Sequence, residues 1–194
     1  MKSIRPTGNQ AMNPRRKETS IAYSWGTTEE EERRAFPCDS YLADANDILF
    51  RAVTVHASAP VIFEWLCQLR VAPYSYDWID NLGRRSPRQI DPALQELQAG
   101  QRFMQIFALC EFHRNEHVTL TTCSTRAERL FGSLAVSYFI SKPPKGACRL
   151  IVKLRVRRSR GFLPGLWSPL LPWGDLVMMR KQLLTLKRLA ERSN

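Results

Sequence analysis

The residues best placed to do chemistry are carboxylates set among aromatic rings, histidines close to one another, and one tyrosine inside an apolar run. In Tyr74-Ser75-Tyr76-Asp77-Trp78-Ile79-Asp80 the acids sit beside rings. A carboxyl shielded by rings loses solvation, which lifts its pKa toward the range of a general acid or base. Asp77 is therefore a candidate proton carrier. The competing role is structural: an aspartate in the first turn of a helix offsets the helix dipole, and no partner base stands nearby in the sequence. Asp175, ahead of the terminal segment, reads first as a dipole partner of the same kind. His113 and His117 flank a predicted hairpin turn and could reach one metal, but a third ligand is missing and His56 stands apart, so no metal is expected. Cys38, Cys67, Cys110, Cys123 and Cys148 form no CxxC, and an odd count suits no closed disulfide framework. They read as small buried hydrophobes in a reducing compartment. GxSxG, GxGxxG and GxxxxGK[ST] are absent, which removes the usual support for hydrolases, dehydrogenases and kinases, and no cofactor is expected.

Elements must carry these residues. With 194 residues, 44% of them hydrophobic and 24% charged, the chain suits one globular domain. Residues 1–20 hold prolines, glycine, asparagines and basic residues without apolar periodicity and read as a disordered basic tail ahead of a single domain, 21–194. No apolar stretch reaches the roughly 20 residues of a membrane span, and no apolar segment follows the basic start as in a secretory signal. A cytoplasmic location is expected. Thr27 or Thr28 caps a short helix opening on four glutamates and ending before Pro37. Leu49 to Ala57 alternates as a strand. Ser58 caps a helix in which Val61, Trp65, Leu66 and Leu69 recur at helical spacing, and a second short helix, YDWIDNL, follows Pro73. Gly83 to Gly100 is a connection. Arg102–His113, His117–Ser124, Ser133–Lys142 and Cys148–Arg158 read as strands, whose short links make them antiparallel neighbours. Residues 161–172 form an apolar, proline-rich loop. Beyond it a long amphipathic helix aligns Leu176, Met179, Leu183, Leu186 and Ala190.

Facing follows from alternation. If Leu150, Val152, Leu154 and Val156 face that helix, then Lys153, Arg155 and Arg157 face solvent. Val136, Tyr138 and Ile140 then share an inward face, so Tyr138 is the second candidate for positioning or moving a proton. Strand Arg102–His113 is ambiguous, because Phe103, Phe107 and Leu109 compete with Met104, Ile106 and Ala108 for the inside.

The order of elements is α+β, with helices on one face of a bent antiparallel sheet. LFRAVTVHASAPVIFEWLCQL, APYSYDWIDN and the closing GDLVMMRKQLLTLKRLAE resemble the START-like, polyketide-cyclase-like superfamily (SRPBCC), in particular a bacterial branch of it, over about Trp25 to Arg192. The resemblance implies a helix-grip fold: a curved antiparallel sheet wrapped around the long C-terminal helix, two short helices after the first strand, and a mostly apolar cavity between sheet and helix. The lining expected on that plan comes from Trp65, Tyr74, Tyr76 and Trp78 at one end, Met104, Phe107, Tyr138 and Val152 on the strands, and Met179 and Leu183 on the helix. The motifs specify the fold far better than any reaction.

The expected function is binding of a small hydrophobic ligand, such as a lipid, a polyketide-like or an aromatic compound. One alternative is a cyclase or dehydratase-type enzyme of the same superfamily, using Asp77 or Tyr138. Another uses the net charge of +11, most of it C-terminal, to contact nucleic acid or an acidic partner. Nucleic acid is disfavoured because the basic residues of KLRVRR alternate with apolar ones and no aromatic platforms interleave. The loop 161–173, flanked by arginines, could instead make peripheral membrane contact. The oligomeric state is not legible.

Overall fold

A computed structural model describes residues 20–76, 85–142, 147–158 and 170–193 of the chain. Residues 1–19, the expected helix after Pro73, with Asp77 and Trp78, and most of the apolar loop, 161–169, lie outside the described residues.

The sequence opens with β1 (Ser24–Trp25), α1 (Glu29–Arg33) and α2 (Cys38–Tyr41). Thr28 caps α1: its hydroxyl accepts from the Glu31 N–H while the Glu31 side chain accepts from the Thr28 N–H, a reciprocal arrangement that satisfies two otherwise orphaned donors. β2 (Asp47–Val55) follows, then α3 (Ala59–Cys67). Ser58 occupies the cap position of α3, but its side chain makes no capping hydrogen bond.

The expected strand Arg102–His113 is broken. It forms β3 (Arg102–Phe103) and β4 (Phe107–His113) around a tight turn in which Met104 and Gln105 adopt left-handed conformations, φ 45° and 63°. A continuous strand admits no such residues. β5 (His117–Thr122), β6 (Ser133–Ser141) and β7 (Cys148–Arg157) follow the expected pattern. An unexpected helix, α4 (Thr125–Phe131), joins β5 to β6. Ser124 caps its start and Gly132 ends it with φ 85°. The closing helix α5 (Leu170–Arg192) takes in Leu170 to Pro172, which the sequence pattern assigns to the preceding loop. A proline near a helix start removes a donor that has no partner in any case.

One sheet runs in the order β1-β2-β7-β6-β5-β4-β3. Every pair is antiparallel except β1 on β2. Its inner face carries Leu49, Val53, Val55, Leu150, Val152, Leu154, Val136, Tyr138, Val118, Leu120, Phe107 and Leu109 against α3 and α5, forming the main core. Leu176, Leu183, Leu186 and Ala190 seat α5 on it. The ambiguity in the Arg102–His113 stretch resolves with Phe103, Phe107 and Leu109 buried, while Met104 and Ile106 pack at the margin.

The outer face is not the solvated surface that alternation suggests. Phe36, Cys38 and Leu42 pack on Ala52, Ala135 and Ile151 as a second core. Lys153 is 6% exposed, and its ammonium lies 2.7 Å from Asp39, which also receives Arg155 at 2.7 Å. The physical reason is charge complementarity. The acidic stretch from Glu29 to Asp44 folds over the basic outer face of β7 and pairs Glu31 with Arg149 and Asp44 with Arg157, while Asp47, at the start of β2, pairs with Arg158 just past the end of β7.

Candidate functional site

Asp175, Met179, Gln182 and Leu186 fall at helical spacing on the face of α5 turned to the sheet. The sheet answers with polar groups of its own. Arg51 lies on the inner face of β2, between Leu49 and Val53, and is 1% exposed. Its guanidinium donates to Asp175 Oδ2 at 2.8 Å, to the Ala22 carbonyl at 2.6 Å and to the Phe50 carbonyl at 2.7 Å. Its Nε is buried without a hydrogen-bond partner. Two strands away Tyr138 donates its hydroxyl to Gln182 Oε1 at 2.8 Å, with Met179 Sδ at 4.0 Å. The Gln182 amide donates in turn to the Pro73 carbonyl at 2.6 Å and to Met104 Sδ at 3.3 Å.

Burial governs the protonation of this set. It pushes the Asp175 carboxyl up to about 6, with the Arg51 guanidinium pulling the other way. Burial also lowers Arg51, against the pull of Asp175. The Tyr138 phenol is raised well above its ordinary range, first by burial and then by the charge on Asp175, against the hydrogen bond to Gln182. Tyr138 therefore keeps its proton and acts as a hydrogen-bond donor. Cys67, pushed up to about 12 by burial, is no nucleophile at neutral pH. The histidine rings of the β4–β5 hairpin stack at 6.4 Å, and among the described residues no group of three or more ligands could hold a metal.

The structure sorts the residues expected to line a cavity. A side chain facing an empty space wide enough for water keeps accessible surface. Val152 and Leu183 have none, and Trp65, Tyr74 and Tyr138 keep 1% each, so sheet, α3 and α5 are in close contact there. Trp65 meets Tyr74 edge to face at 6.0 Å, and its indole donates to Ser193 Oγ at 3.3 Å. Tyr138, Met104 and Met179 converge on Gln182, whereas Trp65 reaches the C-terminus of α5, and Tyr74 lies between, next to the Pro73 that Gln182 holds. Tyr76 is half-buried beneath Lys181, whose ammonium is 5.9 Å from the ring centroid. Some apolar surface stays accessible near the turn between β3 and β4. Phe107 pairs with Thr122, whose hydroxyl accepts the Leu134 N–H at 2.9 Å. Phe107 retains 8% exposure, and Leu134, Met104 and Ile106 are half-buried.

Sequence reasoning missed Arg51, Asp175 as its partner, and Gln182. The signal was available: strand alternation puts Arg51 with Leu49 and Val53, and helical spacing puts Asp175 and Gln182 with Met179 and Leu186. The β7 cations, once possible contacts for nucleic acid, are matched by Glu31, Asp39 and Asp44 on the outer face. On α5, Arg180 stacks on Trp25 and Lys187 pairs with Glu191.

No family model matches the chain, and no curated protein sequence is significantly similar to it. Several solved structures are similar. Protein CV1439 from Chromobacterium violaceum is 9% identical with a TM-score of 0.46, covering 75% of this chain and 98% of that one. The di-domain ARO/CYC StfQ from the steffimycin biosynthetic pathway is 10% identical with a TM-score of 0.47, covering 75% of this chain and 51% of that one. A START superfamily protein from Mycobacterium smegmatis is 16% identical with a TM-score of 0.45, covering 76% of this chain and 99% of that one. The class of the chain follows from its own strand order and register: a helix-grip α+β protein with a long C-terminal helix seated on an open, mostly antiparallel sheet.

Proposed function

We propose that the chain binds a small, largely apolar molecule carrying one hydrogen-bonding group, between the inner face of the sheet and the first half of α5. The supporting observation is the buried polar track of Arg51, Asp175, Tyr138 and Gln182 along a face that is otherwise aliphatic and aromatic. Burying such groups costs more than burying alkyl side chains of similar size, so a core serving stability alone has no need of them. A ligand group that accepts from the Tyr138 hydroxyl replaces Gln182 Oε1. The half-buried thioethers of Met104 and Met179 give way most easily as the ligand enters beside Phe107 and Leu134.

The test uses the neutral fluorophore N-phenyl-1-naphthylamine as probe. Saturable enhancement of its emission is expected. Met179→Trp, which fills the entry with an indole, should abolish the enhancement while the far-ultraviolet circular dichroism stays unchanged. Absence of saturable binding to the folded protein sinks the proposal.

An enzymatic reading of cyclase or dehydratase type draws support from the Asp175 carboxyl, whose charge acts on the Tyr138 phenol. In that reading Tyr138 donates a hydrogen bond to a substrate carbonyl and Asp175, held by Arg51, tunes the phenol. It requires that Tyr138→Phe lose turnover of a cyclisable substrate while still binding the fluorophore.

A further inference from the structure

A second concave site lies on another face of α5. Lys181, Thr185, Arg188, Leu189 and Arg192 fall at successive helical spacings, and with Tyr74 and Arg88 they enclose an open cleft of about 250 Å³. Four cations, Arg88, Lys181, Arg188 and Arg192, line it, and among the described residues no carboxylate does. Among the described residues none of the four is paired with an acid. The nearby acid on the helix, Glu191, is engaged elsewhere: it pairs with Lys187 at 3.6 Å and accepts the His56 N–H at 2.9 Å. The contrast with β7 is sharp, because there each basic side chain of the outer face has found a carboxylate.

Three of these cations have a structural use. Arg188 and Arg192 sit in the last turns of α5, where the helix dipole favours positive charge, and Lys181, two turns earlier, stands over the Tyr76 ring. Neither use accounts for Arg88, which reaches the cleft from a different part of the chain, or for the gathering of all four on one concave wall. Arg188 and Arg192 are also spaced i,i+4, where like charges repel. Tyr74, on the wall of the cleft, adopts φ 55°, a left-handed conformation that is unfavourable for an aromatic residue. A concave wall with three guanidinium forks and an ammonium presents paired N–H donors to an oxyanion, the geometry that carboxylate and phosphoryl groups accept in bidentate fashion.

We infer that this cleft binds a phosphoryl-type multivalent oxyanion, carried by a soluble small molecule or by a lipid headgroup. The inference is independent of the interior site, because the fluorophore used there is uncharged and reads only that site.

Inorganic pyrophosphate is the probe for the soluble source, titrated calorimetrically at physiological ionic strength. Phosphatidylcholine vesicles containing phosphatidic acid, in a sedimentation assay, probe the headgroup. Two variants dissect the cleft: Arg188→Glu with Arg192→Glu, and Arg88→Gln with Lys181→Gln. The second pair leaves the last helical turn intact and covers the case in which the first fails to fold. The control is Arg114→Gln with Arg126→Gln, which removes two exposed charges elsewhere. Saturable binding in either arm, weakened about tenfold or more by the cleft variants and within about twofold of wild type in the control, supports the inference, and the arm that binds identifies the source. Binding in neither arm overturns it. So does equal weakening by the control, which would reduce the effect to diffuse positive charge.

Discussion

At the scale of single residues, the Arg51–Asp175 pair makes the sharpest predictions. Removing one partner leaves a charge buried without compensation, so Arg51→Met should cost about 3–5 kcal/mol. Arg51→Met combined with Asp175→Leu should recover most of that loss, both read from chemical denaturation midpoints. A double variant no more stable than the single one would show that the two charges do not compensate each other. The pair also sets a pH dependence. The folded pKa of Asp175, about 6, lies above its ordinary value of 3.8, so the native state holds this proton more tightly than the unfolded chain does. The stability this contributes is fully present below the unfolded value and is lost as pH rises through about 6. Relative to the double variant, wild type should lose on the order of 2–3 kcal/mol between pH 4 and pH 7. These residues escaped sequence reading because charge in a strand is taken as a mark of the solvent side. Alternation carried the right answer for Arg51, as it did for Tyr138.

At the scale of elements, β5, β6, β7 and the apolar stripe of α5 were legible, because period-2 and helical patterns survive intact in them. The break between β3 and β4 was not, since it depends on Met104 and Gln105 adopting left-handed conformations that their residue types do not announce. The outer core was hidden for a different reason. Lys153 and Arg155 read as solvated until the acidic strand-crossing segment around α2 supplies Asp39. The strength of that clamp is testable. Asp39→Ala leaves Lys153, at 8% side-chain exposure, without its carboxylate and should cost about 2–4 kcal/mol. Arg157→Ala removes a pair in which the arginine side chain is 47% exposed and should cost under about 1 kcal/mol. Hydrogen exchange should show Ile151 losing protection in the first variant and keeping it in the second. Gly132 provides another check, for a Cβ there meets the Arg157 carbonyl oxygen at 2.2 Å. Gly132→Ala should therefore lower the thermal midpoint, with the β6–β7 ladder amides the first to exchange.

At the scale of the whole molecule, the long ladder between β2 and β7 joins residues about a hundred positions apart, from Asp47↔Val156 to Val55↔Cys148, and α5 completes the inner core on top of both strands. A chain ending before Leu170 exposes the aliphatic face that Leu176, Leu183, Leu186 and Ala190 cover. Burying each of the leucines is worth about 1.5–3 kcal/mol, so the shortened chain should lose near-ultraviolet circular dichroism and aggregate. The general plan, a helix held by a sheet, was readable because it needs only periodicity and order. The filling of the space between them was not, because it depends on which polar atoms meet across it.

The sheet also ends in a particular way at its margins. At one side β1 pairs with β2, and the Phe50 N–H donates to the Tyr23 carbonyl at 2.7 Å. At the other, β3 is only two residues long and charged Arg102 stands on it. The strand at each rim is thus only two residues long and offers few backbone groups to a neighbouring molecule. Crowded copies of this protein accordingly find only a short template for strand addition at β1 and at β3, and concentrated solutions should stay clear for as long as both rims hold.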